Sequence, residues 1–369
     1  MSLSQGILAM DVGSGTQDIL VWQPETAMEN CPKMILPSPT SMIARLIRQA
    51  TENRNPVFLS GRTMGGGPCS AAIREHLKAG LDVFALKAPA LTFNDDLEKV
   101  MSMGIQVVEQ RPEIAHLLEL PMRDIDLETI GRALGLFNIQ MPGIVAVSVQ
   151  DHGFSPKESN RAFRFRQWTD LLGSGKGLEG LLYQDPPSHL TRMKAVTEAV
   201  PGAWVMDTGA SAILGALLDP WVDQRKQEGV ILVNIGNQHT VAALVKGSKV
   251  WGIYEHHTSI LTPSKLREHL ARFCRGDLTN QEVFDEMGHG CHTLPGAGDA
   301  GPFRHLSITG PNRQKFSNLE GHMAAPFGDM MLTGCFGLVE AVKRKKQSGA
   351  CTADASGPFT ESAHQRTGN

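Results

Sequence analysis

The feature that most constrains the fold is a strand, turn and strand segment that occurs twice. The first copy covers Ile7 to Trp22, where two apolar strands flank a turn that contains Gly13. The second copy covers Ile231 to Val245 and has Gly236 at the matching place in its turn. Internal repetition at this distance along the chain predicts two domains of one design that face each other.

Both turns have the composition of phosphate-binding loops. Glycine allows positive φ and brings backbone N–H groups close to an anion, and the hydroxyls of Ser14 and Thr16 add donors. Asp11, which ends the first strand, suits a magnesium ion held through water, whereas Asn234 takes its place in the second copy. Glycine and serine also build ordinary hairpins, so the first turn alone leaves that alternative open.

Length and composition limit the class of protein. A chain of 369 residues with 41% hydrophobic residues fits two domains. The net charge of −3 predicts neither a nucleic-acid partner nor an anionic membrane partner. We expect no membrane helix, because no run approaches about 20 apolar residues, and no signal peptide near the N-terminus. The six cysteines are scattered without a C-x-x-C pair, so we expect reduced thiols and a cytoplasmic protein.

Strands and helices alternate between the two repeats, which predicts parallel α/β layers. Within them, Gly61 to Pro68 (GRTMGGGP) is either a flexible connection or a ligand-binding loop. The strand Gly143 to Val149 ends before Asp151 and His152. Polar groups beyond the carboxyl end of a parallel strand are well placed for chemistry, so this pair is predicted to orient water or bind metal. The alternative is an Asp that caps the next turn and an exposed His.

Two further segments leave alternatives open. Arg161, Arg164 and Arg166 alternate with aromatic residues, which indicates either a solvated basic face or a face that binds phosphate or acids. Histidines in two loops are candidate ligands for zinc or iron, and the alternative is histidines that only form hydrogen bonds. The candidate ligands are His256, His257, His289 and His292.

Five motifs in order along the chain resemble those of the actin-like ATPase superfamily, which includes sugar kinases, heat-shock chaperone ATPases and actin. They are the two turns, the small-residue segment after Asp207, the strand Arg304 to Thr309 with the following Gly310, and Phe327 to Lys343. The resemblance implies an α/β fold with two actin-like (ribonuclease H-like) domains facing a nucleotide cleft that holds ATP and Mg2+. Pro311 departs from the superfamily's second glycine.

The resemblance also implies domain bounds and site residues. We expect an N-terminal actin-like domain at 1–205 with inserted α/β elements, a C-terminal one at 206–346, and a disordered tail at 347–369. Asp207 is implied as catalytic base or water-orienting residue, and its alternative role is a helix N-cap. Asp11 and Asp151 are the other catalytic candidates. The expected cofactor-binding residues are Gly13, Ser14, Gly15, Thr16, Gln17, Gly236, Asn237, Thr240, Gly310 and Asn312.

The motifs GRTMGGGP, VSVQDHG, DTGASA, EHHT and SITGPNR together resemble a prokaryotic family labelled putative pyruvate formate-lyase activating protein. Radical activation of that kind uses a C-x-x-x-C-x-x-C cluster motif. No three cysteines in this sequence have comparable spacing, so we do not expect that chemistry.

The leading functional hypothesis is an ATP- and Mg-dependent phosphoryl-transfer enzyme, a small-molecule kinase, or an ATPase. One alternative is a nucleotide-gated binding or chaperone-like module without kinase activity. Asn234 favours this alternative, because one metal-orienting carboxylate is lost. Another alternative is a metal hydrolase that uses the histidines. The expected partner is a small-molecule substrate whose identity the sequence does not specify.

Overall fold

The computed structural model describes residues 5–354, with the backbone alone for 348–354. The strands are β1 (Ile7–Val12), β2 (Thr16–Trp22), β3 (Lys33–Pro37), β4 (Val57–Gly61), β5 (Val83–Ala85), β6 (Ile105–Val107), β7 (Leu118–Met122), β8 (Ile144–Val149), β9 (Leu182–Tyr183), β10 (Trp204–Asp207), β11 (Val230–Ile235), β12 (His239–Lys246), β13 (Lys249–His257), β14 (Gly290–Thr293), β15 (His305–Thr309) and β16 (His322–Met323).

The helices are α1 (Pro39–Glu52), α2 (Gly67–Lys78), α3 (Lys87–Ala90), α4 (Leu97–Ser102), α5 (Leu127–Gly135), α6 (Asn160–Gly173), α7 (Thr191–Ala199), α8 (Thr208–Ala216), α9 (Pro220–Arg225), α10 (Pro263–Arg275), α11 (Asn280–Asp285), α12 (Ala297–Ala300) and α13 (Thr333–Asp354). None of these helices has the length and apolar character needed to cross a bilayer. Helix α13 extends into the segment predicted as a tail, and residues 355–369 of that segment lie outside the described residues.

Two six-stranded sheets share one strand pattern. The first sheet has the order β3-β2-β1-β8-β10-β9, in which β1 to β3 form an antiparallel meander and β8 and β10 run parallel to β1. The second sheet has the order β14-β13-β12-β11-β15-β16 and repeats this arrangement, with β11 to β13 as the meander and β15 and β16 as the parallel strands. The prediction of two ribonuclease H-like domains of one design is therefore confirmed.

A smaller parallel sheet, β6-β5-β4-β7, is inserted between β3 and β8 of the first sheet. It has its own apolar core, in which helices α1 and α2 pack against the strands. These are the parallel α/β layers that the alternation of strands and helices predicts.

Helices α8 and α13 cross between the two main sheets with their backbones in contact. A Cβ added to Gly337 would lie 1.8 Å from the carbonyl oxygen of Ser211, and one added to Gly215 would lie 1.8 Å from that of Thr333. Of the two glycines in the predicted segment Phe327 to Lys343, Gly337 therefore does mark a close helix crossing, whereas Gly334 lies against Asp11. The helix itself begins later than predicted, because a 3-10 turn occupies Pro326–Gly328.

Side-chain alternation gives each main sheet an inner face, turned towards α8, α13 and the other sheet, and an outer face. In β1, Ile7 and Ala9 belong to the core shared by both sheets, while Leu8 and Met10 belong to a separate outer core. Asp11 has the parity of Ile7 and Ala9, so it lies on the inner face at the end of the strand. The same alternation determines which residues next to the two repeated turns point into the space between the domains.

We predict that Gly337→Ala destabilises the protein by about 3 kcal/mol, because the added methyl must push the two helices apart. Gly173 ends helix α6 with no atom within 4 Å of an added Cβ, so Gly173→Ala is the matched control. The control is expected to change stability by less than about 1 kcal/mol, in the stabilising direction. Urea unfolding of both variants measures the difference. Equal stabilities would contradict the crossing described above.

Candidate functional site

The two repeated turns have the same hydrogen bond and line the same cavity. The N–H of Gly13 donates to the carbonyl oxygen of Thr16 at 2.9 Å, and the N–H of Gly236 donates to that of His239 at 2.9 Å. Both turns line a cavity of about 390 Å3 between the sheets. They approach so closely that a Cβ on Gly15 would lie 2.4 Å from the amide nitrogen of Asn237. The two glycine turns therefore face each other across one cleft.

Asp11 lies at the base of this cleft in a fixed orientation. Its Oδ1 accepts hydrogen bonds from the hydroxyls of Ser148 at 2.5 Å and Thr208 at 2.7 Å. Burial raises the pKa of Asp11, although the two hydroxyls oppose that shift. Gly334 at the start of α13 leaves room for the carboxylate, because a Cβ there would lie 2.0 Å from Asp11 Oδ2.

A second carboxylate, Asp18, lies beside Asp11 and was missed by the sequence analysis. It is the cross-strand partner of Asp11 in the hairpin and also lines the cavity. Burial, followed by the charge of Asp11, raises the pKa of Asp18 to about 8, and its Oδ1 has no hydrogen-bond partner among the described residues. Strand alternation from Leu20 could have identified it, since residues two apart share a face.

The glycine-rich loop Gly61 to Pro68 forms a third wall of the cavity. Gly65, Gly66 and Gly67 line it, at the N-terminus of the twelve-residue helix α2. A Cβ on Gly67 would lie 2.9 Å from the Gln238 amide and 3.5 Å from Ser14, so this loop reaches both repeated turns. Of the two alternatives left open, this position at the cavity wall agrees with the ligand loop, although the N–H groups of Gly65 and Cys69 already donate to Asp124 and Thr40.

Arg164 is buried and not part of a solvated basic face, contrary to one of the sequence expectations. Its guanidinium contacts Asp207 at 2.5 Å and Glu255 at 3.3 Å, with 1% of the side chain exposed. Burial opposes the charged form, but the two carboxylates outweigh it and raise the pKa of Arg164. Glu255 also accepts from Gln150 and Trp168 at 2.8 Å. This network joins the first domain to strand β13 of the second.

Asp207 is engaged by structural bonds. Its Oδ1 caps helix α8 by accepting from the Ala210 N–H at 3.1 Å, and its Oδ2 pairs with Arg164. It is 1% exposed and lies outside the cavity wall. The geometry therefore agrees with the N-cap alternative, and each carboxylate oxygen of Asp207 already accepts a bond from the protein.

Asp151 lines the cavity but also serves a turn. Its carboxylate accepts from the N–H groups of Gly153 at 2.8 Å and Met193 at 3.0 Å, which fixes the start of helix α7. Burial raises its pKa. The alternative expected the neighbouring His152 to be exposed. Instead, its ring packs against the imidazoles of His239 and His289.

The predicted quartet of histidines is not brought together as a whole, since His257 and His289 are adjacent, with ring centroids 4.7 Å apart, but His256 and His292 are not. His256 lies on the outer face of β13, stacked towards Tyr254, because alternation sends it opposite to His257. His292 pairs with Ile253, four residues along β13 from His257. Instead, ligand atoms of His289 lie within 4.8 Å of those of His152 and His239. The repeat could have identified His239, which occupies the position of Thr16 in the second turn.

The other expected nucleotide-binding residues divide according to the same alternation. Gln17 and Thr240 are corrections, since both point to the outer faces: Gln17 donates to the Pro37 carbonyl and Thr240 contacts the Thr258 hydroxyl. The Asn312 amide donates to the Gly236 carbonyl and so supports the second turn. Those that line the cavity are Gly13, Ser14, Thr16, Gly236, Asn237 and Gly310.

We predict that, in the metal-free protein, the contribution of Asp18 to stability is lost as pH rises from 5 to 8, whereas the buried histidines with lowered pKa values contribute in the opposite direction up to about pH 6.5. The folded state keeps the Asp18 proton up to about pH 8. The unfolded chain releases that proton near pH 3.9, so stability present at low pH is lost through this window. Asp18→Asn should reduce the loss by about 2 kcal/mol in urea unfolding with a chelator present. Asp185→Asn, at an exposed residue, is the control. If stability changed with pH in Asp18→Asn as it does in the wild-type protein, the raised pKa of Asp18 would be contradicted.

Solved structures similar to this chain cover nearly its whole length at low identity. The activator of the 2-hydroxyisocaproyl-CoA dehydratase from Clostridium difficile with bound ADPNP is 8% identical, with 97% of this chain and 100% of that chain covered and a TM-score of 0.34. Component A of the (R)-2-hydroxyglutaryl-CoA dehydratase of Acidaminococcus fermentans is 10% identical, with 93% and 99% covered and a TM-score of 0.31. The fold assignment rests on the strand order and not on these superpositions.

No curated protein matches the chain. A protein-family model matches residues 64–315, which include the three glycines Gly65 to Gly67, the second turn and all three clustered histidines. The chain therefore belongs to the family described as "Putative pyruvate format-lyase activating enzyme (DUF1786)".

Proposed function

We propose that this protein binds ATP with Mg2+ in the cleft between its two domains and cleaves the terminal phosphoryl bond. The observation that carries the proposal is the pair of glycine turns with matching hydrogen bonds, opposed across one cavity. The first turn follows β1 and the second follows β11. Each presents backbone N–H groups, which would suit one shared polyphosphate.

Phosphate oxygens would be bound by the two turns and by the N-terminus of α2. Ser14 and Thr16 supply hydroxyl donors from the first turn, and Asn237 supplies an amide from the second. Gly66 and Gly67 lie at the start of α2 in the same space, whereas the N–H groups of Gly65 and Cys69 already donate to Asp124 and Thr40. The cavity wall offers few cationic side chains. Converging hydrogen-bond donors would therefore stabilise the negative charge of a triphosphate there.

The donor set at the base of the cleft fits Mg2+. Asp11 and Asp18 are adjacent carboxylates, and Asp18 Oδ1 is a buried oxygen without a partner. Magnesium prefers oxygen ligands and keeps several waters, so it is held by one or two carboxylates together with substrate phosphates. When bound, Mg2+ neutralises charge that develops on the phosphoryl oxygens. Ser148 and Thr208 keep the Asp11 carboxylate directed into the site.

The geometry favours hydrolysis, or nucleotide-gated opening and closing, over transfer to a substrate hydroxyl by an Asp207 base. Asp207 caps a helix and pairs with Arg164, so both of its oxygens are occupied. The kinase hypothesis would need another base to accept the proton of the attacking hydroxyl. Water attack, or nucleotide binding that only changes the domain arrangement, needs no such residue at Asp207.

The family description names a different chemistry. Activation by an iron–sulfur enzyme requires cysteine thiolates that converge on a cluster. Among residues 5–347, whose side chains the structure describes, the cluster of three side chains that could hold a transition metal contains histidines and no cysteine, and the five described cysteines are unpaired. The ATP proposal therefore stands on this chain's own turns and not on the family's description.

We predict that Asp11→Asn lowers Mg-dependent ATP turnover by at least about 100-fold, because it removes a charge that orients the metal. The measurement is phosphate release by the full chain with and without Mg2+. Asp185→Asn, with 92% of its side chain exposed, is the matched control and should retain wild-type turnover. Failure of the wild-type protein to bind ATP in the presence of Mg2+ would overturn the proposal.

Asp207→Asn separates the structural role from the catalytic one. The amide keeps a cap acceptor but leaves the buried Arg164 without one of its two charges, so we expect a stability loss of about 3 kcal/mol. Turnover by the folded variant, measured well below its unfolding temperature, should fall by less than about tenfold. A loss of about 1,000-fold at unchanged stability would instead identify Asp207 as the base.

A further inference from the structure

Three imidazoles from distant parts of the chain converge at the back of the cleft. His152 follows β8 of the first domain, His239 begins β12, and His289 precedes β14 of the second domain. The ligand atoms of the three side chains all lie within 4.8 Å of one another. A fourth imidazole, that of His257, packs against the cluster, with its ring centroid 4.7 Å from that of His289 and 4.9 Å from that of His239.

The nitrogens in this cluster lack the hydrogen bonds that buried polar atoms normally make. His289 is fully buried, and neither of its ring nitrogens has a partner among the described residues. The Nε2 atom of His239 is also buried without a partner. Unpartnered buried nitrogens are rare and costly in native proteins, and several in one cluster point to a missing ligand.

We propose that His152, His239 and His289 bind a single divalent transition-metal ion of the class of Zn2+ or Fe2+. Three neutral imidazoles form a borderline nitrogen donor set, which suits these ions and does not suit Mg2+ or Ca2+. Because each ring offers one nitrogen to the ion, ligation would supply a partner for one of the two orphaned nitrogens of His289.

The present spacing is slightly wider than tetrahedral coordination requires. Metal–nitrogen bonds of 2.0–2.1 Å place ligand nitrogens about 3.4 Å apart, so rings at the widest separation of 4.8 Å would turn inward by up to about 1 Å. His152 and His239 both line the cavity between the domains. A three-histidine site therefore leaves a coordination position open towards the cleft, where a water molecule or a substrate oxygen can bind.

The backbone segments that carry the ligands are held in place. The N–H of His289 donates to the Glu255 carbonyl at 2.9 Å, and Arg161 donates to the Gly288 carbonyl at 2.6 Å. The loop at His152 is fixed by the Gly153 N–H, which donates to Asp151. Preorganised ligands of this kind lower the entropy lost on metal binding.

The electrostatic surroundings also suit neutral ligands and an added cation. Burial lowers the pKa of His239 and of His289, and it lowers that of His152 to about 4, so all three rings are neutral at pH 7. The nearby charge of Arg164 is matched by the carboxylates of Asp207 and Glu255. The ion would therefore not face an unpaired positive charge from Arg164.

This site is distinct from the oxygen site at Asp11 and Asp18, and it does not rest on the proposed ATP function. Its donors are nitrogens, and two of its three ligands belong to the second domain. Metal binding at the histidines can therefore fail while ATP binding succeeds, and the converse also holds.

Metal content of the untagged, full-length protein tests the proposal directly. After removal of metal with a chelator, the protein is incubated with Zn2+, with Fe2+ under anaerobic conditions, or with Mg2+, then desalted and measured by elemental analysis. We expect one transition-metal ion per chain in the Zn2+ arm, the Fe2+ arm or both, and no retained Mg2+. Retention of no transition metal overturns the proposal.

Substitutions locate the ion. His239→Asn and His289→Asn should each reduce retained metal at least tenfold, whereas His292→Asn, which lies outside the cluster, should retain the wild-type amount. X-ray absorption of the metal-loaded wild-type protein is the second measurement, and it does not depend on the folding of any variant. Three imidazole ligands are expected, and fewer than two, or metal loss in the His292 variant alone, would overturn the assignment.

Discussion

The distance between the two domains is set by backbone contact where α8 crosses α13. Gly215 and Gly337 allow that contact, because a methyl group at either position would overlap a carbonyl oxygen of the other helix. In the chain, α8 comes directly after β10 of the first sheet and α13 comes after β16 of the second. Both helices pack within the core that the two sheets share. The close crossing brings the ends of β1 and β11 together, so every residue of the cleft depends on it.

Much of the fold could be predicted, because its signals are local. The two glycine turns, their flanking apolar strands and the glycines of α13 can each be read from a short segment, and their repetition indicates the two-domain arrangement. Asp11, Gly13 and Gly236 line the cavity as expected from their position next to the strand ends, and their roles in binding stay predictions. The repeated pattern was also sufficient to predict that the two turns share one cavity.

The rest depended on contacts between distant segments or on strand parity that was not applied. Gln17 and Thr240 lie next to cleft residues but point to the outer faces, as alternation requires. Arg164 looked like a surface cation because its carboxylate partners lie 43 and 91 residues away in the sequence. The histidine cluster likewise combines residues from three segments, and no spacing within one segment indicates it.

The buried Arg164 has a consequence for how the domains can move. Its charge is shared between Asp207, on its own domain, and Glu255, on the other. Parting the domains at this point would leave a guanidinium in a low-dielectric interior with half of its counter-charge removed, which is strongly unfavourable. The ion pairs of Arg164 therefore hold the two domains together at the back of the cleft, so a nucleotide that enters the cleft must do so without separating them.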